Sequence, residues 1–568
     1  MKLMKDSFIE KSARDRAAAI LDKDTFRELI DPFERFESPH LQSQGIVPQN
    51  DDGVIIARGK LDGESAVVIS VEGKFQGGTI GEVSGAKIAG SLELVLRDCE
   101  NGVLTRPVLL FDTGGVRLQE ANYGLLSIAE IGAAIVSLRQ FVPVAGVVPG
   151  MVGSFGGMSV TAGLLDSLIV TREARIGLNG PEVIEQEAGI EEFDSKNRQV
   201  VWNAIGGIQR FHTGLADHLV QDDSLAIRNC VIGVFRKGIN KKPRSVRVDF
   251  FERLLKSVDP TRHLTPAGFR KAYQKAESTY SGESVSAASA VSAKTEAKEQ
   301  SFSRGRTWFD ILTNTNDSSN RPASSVQCAD GSLGEERIRC LSVVPDPGSP
   351  FPRARKGEIG LQEGWAIAKY VREAIDEDKQ GDKRAIIAIV DIPGQAYGYN
   401  EELMGIHLAC AAAADAYASA RLAGHPVIAL IVGNAISGGF LAHGLQANRI
   451  IALNDAGVNV HVMSKHSAAR ITRRTIEELE EATEQTPAMA YDIGSFAKLG
   501  AVHELIGGID ADHPDERDCQ IVRDRLSAAV REIRSSSNDL KTRLSSAEAL
   551  AGGRSASIRV RKLLKKQW

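Results

Sequence analysis

The sequence predicts an α/β protein made of two similar domains, and three observations carry that prediction. Short apolar runs alternate with longer segments of helical period, as in Val108–Phe111 before 124–139 and Ala385–Val390 before 400–423. Strands alternating with helices imply βαβ crossovers and a mostly parallel sheet. An ordered set of features then occurs twice: a strand ending in Asp and a Gly loop, a helix, a Pro-led strand, and a Gly-Gly pair opening a second helix. Asp112 recurs as Asp391, and Gly157 as Gly439. Between the copies, residues 276–304 are small, polar and aperiodic, the composition of a flexible linker. The expected organisation is therefore a domain over 1–275, a linker over 276–304 and a second domain over 305–568 with a basic tail.

In chain order, residues 7–37 read as amphipathic helix. Val54–Ile56 and Ala66–Val71 read as a hairpin about Leu61-Asp62-Gly63-Glu64. The loop Phe75–Glu82 leads into a helix over 83–101. The run from Phe141 to Leu165 has no charged side chain, but its two prolines and six glycines divide it into strand, turn and helix rather than a membrane span. Ser167–Thr171 follows as a strand. The polar stretch 313–331 reads as a loop, and 514–568 as helices. The last eighteen residues carry Arg554, Arg559, Arg561, Lys562, Lys565 and Lys566 and no acid. Such a helix is either a solvated face or a docking surface for an acidic partner.

At 568 residues, with 42% hydrophobic and 25% charged residues, the composition is that of a soluble globular protein of more than one domain. A net charge of −4 gives no reason to expect nucleic acid or an anionic membrane. Six scattered cysteines without C-x-x-C fit a reducing cytoplasm and no zinc ribbon, and the charged N-terminus is not a signal peptide.

A Gly-Gly pair entering a helix exposes backbone N–H groups, and two donors from different loops aimed at one point stabilise charge developing on a carbonyl oxygen. The candidates in the first domain are Val116 with Gly156 or Gly157. In the second they are Gln395 or Ala396 with Gly439 or Phe440. No G-x-S-x-G, H-E-x-x-H or Walker motif accompanies them, so neither nucleophile nor metal is indicated. Formation of a thioester enolate is the chemistry best served by paired donors alone.

These residues carry a resemblance. Thr113-Gly-Gly-Val-Arg-Leu-Gln-Glu120, Gly153-Ser-Phe-Gly-Gly157 and Gly180-Pro-Glu-Val-Ile-Glu185 resemble the N-domain of acyl-CoA carboxyltransferases. Asp391-Ile-Pro-Gly394 and Ile436-Ser-Gly-Gly-Phe440 resemble their C-domain. The wording, including Phe351-Pro-Arg-Ala-Arg-Lys-Gly-Glu-Ile-Gly360, is most similar to the β and γ subunits of biotin-independent malonate decarboxylase, here fused. The resemblance implies a crotonase-like (ClpP/crotonase, carboxyltransferase-type) fold with ββα spiral repeats in each half. It implies a malonyl thioester on an acyl-carrier subunit, decarboxylated to acetyl thioester in malonate catabolism. The thioester would sit on a CoA-derived phosphopantetheine-type arm, with no cofactor covalently bound to this chain. It also implies an acetyl-S-ACP:malonate ACP transferase subunit, a multi-subunit complex and active sites between N-type and C-type domains. The alternative is a carboxyltransferase moving the malonyl carboxyl group to biotin on a carrier protein, for which the second pair of donors would hold biotin.

Met158 is expected beside the substrate carboxylate, and Gly77, Gly78 and Gly115 in the loops around it. Lys87 and Arg97 occupy the helix on which carboxyltransferases contact CoA phosphates. His466 is a candidate to protonate the enolate or orient a water, although a surface histidine at a helix start is its plainer reading; His443 and Tyr123 are weaker candidates. Arg117 and Glu120 read as an ion pair pinning the loop.

Overall fold

The computed structural model describes residues 6–280, 302–314, 325–472, 475–484 and 487–568. Two sheets of seven strands organise it. The first contains β1 (Arg27–Leu29), β2 (Val54–Leu61), β3 (Glu64–Val71), β4 (Arg106–Leu110), β5 (Ala145–Val148), β6 (Ser167–Thr171) and β7 (His218–Val220), in that spatial order. β1 to β3 pair antiparallel and β3 to β7 parallel. The second contains β8 (Val326–Leu333), β9 (Glu336–Val343), β10 (Ala385–Ile392), β11 (Val427–Ile436), β12 (Arg449–Leu453), β13 (Asn459–His461) and β14 (Glu504–Ile506). It repeats the scheme: an antiparallel β8–β9 hairpin, then parallel pairing through β10, β11, β12 and β14, with β13 extending β11. Central parallel strands are covered on both faces, so they are apolar throughout rather than alternating. β10 begins Ala-Ile-Ile-Ala-Ile-Val, with every one of these residues buried.

The duplication extends to helix starts. The Gly81 N–H donates to Ser84 Oγ at 2.9 Å in front of the helix Glu82–Glu100, and the Gly360 N–H donates to Glu363 Oε2 at 3.0 Å in front of Leu361–Glu377. The halves meet along the Ala-rich helix Ile406–Leu422, whose small side chains admit close neighbours. A Cβ on Gly364 would lie 2.6 Å from the Ala409 carbonyl carbon, and one on Gly163 would lie 2.6 Å from Ala411 Cβ. Asp415 of this helix is wholly buried and pairs with Arg139 at 2.7 Å and Arg372 at 3.0 Å, one from each half.

Several sequence expectations are corrected. Residues 7–37 hold one α-helix, Ala13–Ile20, and a single 3-10 turn, Pro32–Glu34, because the chain between them crosses to pair β1 with β2. Of the loop expected over 313–331, Thr313 ends a helix and Val326 onward is strand β8, whose polar residues belong to an edge strand; 315–324 lie outside the described residues. The helix expected over 400–423 breaks at Gly405, which adopts φ +87° where a Cβ would press on Leu215. Of the expected linker, residues 276–280 complete the helix Pro266–Tyr280 and Ser303 precedes the helix Arg304–Thr313; 281–301 lie outside the described residues.

The basic C-terminal helix Ser555–Gln567 packs on Glu82–Glu100 of the first half. Arg554 and Arg561 both reach Glu130 at 2.8 Å, Arg561 also reaches Glu93 at 2.8 Å, and the Ser557 N–H donates to Glu82 Oε1 at 2.9 Å. The acidic surface that this helix meets belongs to its own chain. The uncharged run from Phe141 becomes strand β5, a turn and the helix Gly157–Gly163. Among the described residues, one helical stretch, Leu118–Leu138, is long and apolar enough to cross a membrane, and it lies within the protein core.

Candidate active site between the two halves

Asp112 follows β4 and ties the two glycine loops of the first half together. Its Oδ1 accepts the N–H groups of Val152 at 2.6 Å and Gly153 at 3.3 Å, and its Oδ2 accepts Arg16 at 2.8 Å. One loop then bridges to Ile80: the Ile80 N–H donates to Gly115 O at 2.8 Å and the Arg117 N–H to Ile80 O at 2.9 Å. The Val116 N–H between them has no protein acceptor among the described residues. In the other loop, Gly156 adopts φ +55° and gives its N–H to Leu178 O at 3.1 Å. Gly157 opens the helix Gly157–Gly163, where the first N–H has no intrahelical partner. Among the described residues the free pair is therefore Val116 with Gly157; Gly156 is excluded as a donor because Leu178 occupies it. Glycine is required where the loops touch. A Cβ on Gly115, at φ +104°, would lie 3.0 Å from both Gly156 Cα and Phe155 O.

Gly77 and Gly78, expected around the substrate, lie beneath this loop and do not line the cavity between the halves. Gly77 O accepts the Gly114 N–H at 2.8 Å, and a Cβ on Gly78 would overlap the Asp112 carbonyl oxygen. Arg117 is buried with Asp52 at 2.6 Å and Glu120 at 2.7 Å, the pin that its spacing to Glu120 predicts. Burial raises the Asp52 carboxyl to about 6 against the pull of Arg117.

The second half repeats the bridge. The Ile359 N–H donates to Gly394 O at 3.0 Å and the Ala396 N–H to Ile359 O at 2.9 Å, so Gln395 stands where Val116 stands and Ala396 has no donor to offer. Ile392 pairs with Ala435 as Thr113 pairs with Ser154. Counting on from that register, Ser437 occupies the place of Gly156 and Gly438 the place of Gly157. The match of Gly157 to Gly439 is thus one residue out. Gly439 and Phe440 turn into the core: Phe440 is fully buried, and a Cβ on Gly439 would lie 2.7 Å from Gly394 O. The Gly438 N–H is taken by Gln395 Oε1 at 3.0 Å, and Gln395 Nε2 donates to Asn179 Oδ1 at 2.8 Å. Asn179 is fixed in turn by Glu402, which accepts its backbone N–H at 2.7 Å. Burial pushes the Glu402 carboxyl up to about 7, against Arg210 and these N–H donors.

A cavity of about 470 Å³ opens between the halves. Val116, Gly156, Gly157 and Leu178 line it from the first half, and Gln395, Tyr397, Ser437, Gly438, Leu441 and Met463 from the second. Its walls are mainly apolar, with Arg175 and Glu182 as the charged side chains. Arg175 stacks on Phe155 and Trp202, and burial lowers its pKa.

Other expected residues lie elsewhere. Met158 is buried in the core behind Gly157 and does not line the cavity. Lys87 is completely buried, its Nζ donating to Asp51 O at 3.0 Å and Ile30 O at 3.2 Å, and burial lowers its pKa to about 8. Arg97 lines a separate cavity of about 530 Å³ beside the C-terminal helix. His466 is exposed on the helix Lys465–Thr472 and outside the cavity, although Val462 and Met463 line it. His443 is locked between Tyr417 Oη at 2.9 Å and Ile389 O at 3.1 Å, and Tyr123 is buried against His40. Sequence reasoning missed Gly438, Asn179, Arg175, Ser437 and Tyr397. Asn179 and Tyr397 adjoin runs already notable for their glycines; nothing local marks Arg175.

The duplicated sheets and their paired backbone amides define a carboxyltransferase-type, crotonase-like protein. The family description "Carboxyl transferase domain" matches residues 10–280, and "Malonate decarboxylase gamma subunit" matches 354–568. The chain is 38% identical over 268 residues to the malonyl-S-ACP:biotin-protein carboxyltransferase MADC of Malonomonas rubra, covering 45% of this chain and 84% of that protein. It is 43% identical over 164 residues to MADD of the same organism, covering 28% of this chain and 56% of that one. A chain of a Pseudomonas malonate decarboxylase hetero-tetramer, solved with malonate, is 56% identical over 48% of this chain and 98% of its own, with TM-score 0.47. The chain belongs to the carboxyltransferase-like family of malonate decarboxylase subunits, with a carboxyltransferase half and a γ-type half in one polypeptide.

Proposed function

We propose that this chain decarboxylates a malonyl thioester on an acyl-carrier subunit, releasing CO2 and leaving acetyl thioester. Residues 1–275 would act as the β-type half and 305–568 as the γ-type half, joined by the 276–304 linker. The carrier would supply a phosphopantetheine-type arm, and a separate transferase subunit would reload it with malonate. The C–C bond to the carboxylate breaks, its electron pair passes to the thioester oxygen as an enolate, and carbon two then takes a proton. The observation that carries this reading is the pair of unengaged N–H groups, Val116 and Gly157, on touching loops over an apolar cavity. Each such donor contributes ~3 kcal/mol to the transition state. Apolar walls around the carboxylate favour its departure as neutral CO2.

Transfer of the carboxyl group to biotin is the second reading, and the names of the Malonomonas rubra relatives favour it. Against it stands Gln395, whose Oε1 occupies the Gly438 N–H where a second oxygen would otherwise bind. The test is to supply the purified chain with malonyl thioester of the carrier and follow CO2 without biotin. Release that avidin leaves unaffected is expected; release that depends on biotin and stops with avidin would replace decarboxylation by transfer.

A further inference from the structure

The enolate must be protonated, and the histidines suggested by sequence do not reach the cavity. We infer that Tyr397 is the acid that delivers this proton, an assignment resting on the enolate reading above. Tyr397 reaches the cavity from the loop that follows β10, on the wall contributed by the second half, whereas Val116 and Gly157 come from the first half. Its hydroxyl makes no hydrogen bond to the protein among the described residues.

The other protic side chains lining the cavity are engaged or unsuitable. Thr79 donates to Gln76 O at 2.7 Å. The Asn179 and Gln395 amides hold each other, Glu402 and Ala396. Arg175 donates to Met151 O at 3.1 Å and Val152 O at 2.9 Å, and a guanidinium is a poor acid. Glu182 in its ionised form only accepts hydrogen bonds. The Ser437 hydroxyl has no hydrogen-bond partner among the described residues either, but an alcohol is a far weaker acid than a phenol. Burial, with Glu187 and Glu358 nearby, raises the Tyr397 pKa and keeps its proton in place until a stronger base appears. A thioester enolate carbon is such a base. In the step, the Tyr397 O–H bond breaks, a C–H bond forms at carbon two, the thioester carbonyl is restored, and the phenolate recovers a proton from water.

The test uses the full chain with its carrier and compares unaltered protein with Tyr397→Phe and Ser437→Ala. Net acetyl thioester formation is measured beside incorporation of labelled CO2 into malonyl thioester. With Tyr397→Phe, net turnover should fall ~100-fold, within the usual range for a general acid. Label exchange per turnover should rise at least ~10-fold, because the longer-lived enolate recaptures CO2. Turnover within twofold of unaltered protein overturns the assignment. So does a fall in turnover with an unchanged exchange ratio, which signals binding or packing. A raised exchange ratio confined to Ser437→Ala also overturns it and transfers the role to the serine. Absence of biotin-free CO2 release from unaltered protein refutes decarboxylation alone. The comparison then runs with the biotin acceptor present, because either fate of the carboxyl group leaves an enolate to protonate.

Discussion

Glu130 fastens the C-terminal helix to the first half, and Glu130→Gln measures how strongly. Its carboxylate takes Arg554 at 2.8 and 3.1 Å and Arg561 at 2.8 Å. Arg554 is 0% exposed and Glu130 4%, so solvent screens the pair little. The glutamine keeps the volume, leaves Arg554 without a carboxylate among the described residues, and leaves Arg561 with Glu93 only. Breaking a buried pair by removing one partner costs ~3–5 kcal/mol. Because Arg561 keeps a countercharge, the low end, about 3 kcal/mol, is expected. The helix Ser555–Gln567 should then loosen from Glu82–Glu100 before the remainder unfolds. The readouts are the first urea transition and the rate of proteolysis within 555–568, with Lys562→Ala, an exposed charge on the same helix, as a control near zero. Burial tends to raise the Glu130 carboxyl, but Arg554 and Arg561 hold it below its ordinary value. Its contribution is therefore complete above an unfolded pKa of about 4.3 and is lost as pH falls through the folded value. The Glu130→Gln penalty should shrink in acid. An unchanged transition at neutral pH, or a penalty that grows as pH falls, would refute the clamp.

Two further outcomes follow from the halves and the cavity. Gly157→Val places a Cβ 2.7 Å from Ile128 Cδ1 and 2.8 Å from Leu441 Cδ1, displacing the N–H at the helix start. Turnover of the carrier thioester should fall ~100-fold, and a loss below tenfold contradicts the role of that amide. Asp415 is buried, which opposes its charge, yet Arg139 and Arg372 hold its carboxyl below the ordinary range. Its contribution is present above about pH 3.9 and is lost as pH falls below it. Asp415→Asn should therefore lower the near-ultraviolet circular dichroism midpoint in urea at pH 7 and flatten its dependence between pH 5 and 3; parallel curves for both proteins would sink the argument.

Much of the site was legible locally, and the errors share one cause. The strand-to-loop aspartates, the Pro-led strand and the glycine pairs mark places where the backbone itself must turn or approach another chain segment. Asp112 and Asp391, and the loops after them, could therefore be located from sequence. Whether an amide is free, however, depends on acceptors far along the chain. Leu178 O removes Gly156 and Ile359 O removes Ala396. The one-residue shift from Gly439 to Gly438 comes from how β10 and β11 are paired, which no spacing reveals. Lys87 has the residue type of a phosphate contact, but its helix face points it into the core.

By itself the sequence determined the duplicated α/β plan, the two loop pairs and the kind of chemistry that they serve, because glycine, proline and aspartate constrain backbone within a few residues. Tertiary structure alone decided which amides remain available, that Gln395 fills the second pair, that the cavity joins both halves, and that the basic tail lies on Glu93 and Glu130. Those outcomes depend on side-chain direction and on which distant atoms arrive within hydrogen-bonding distance, and packing sets both.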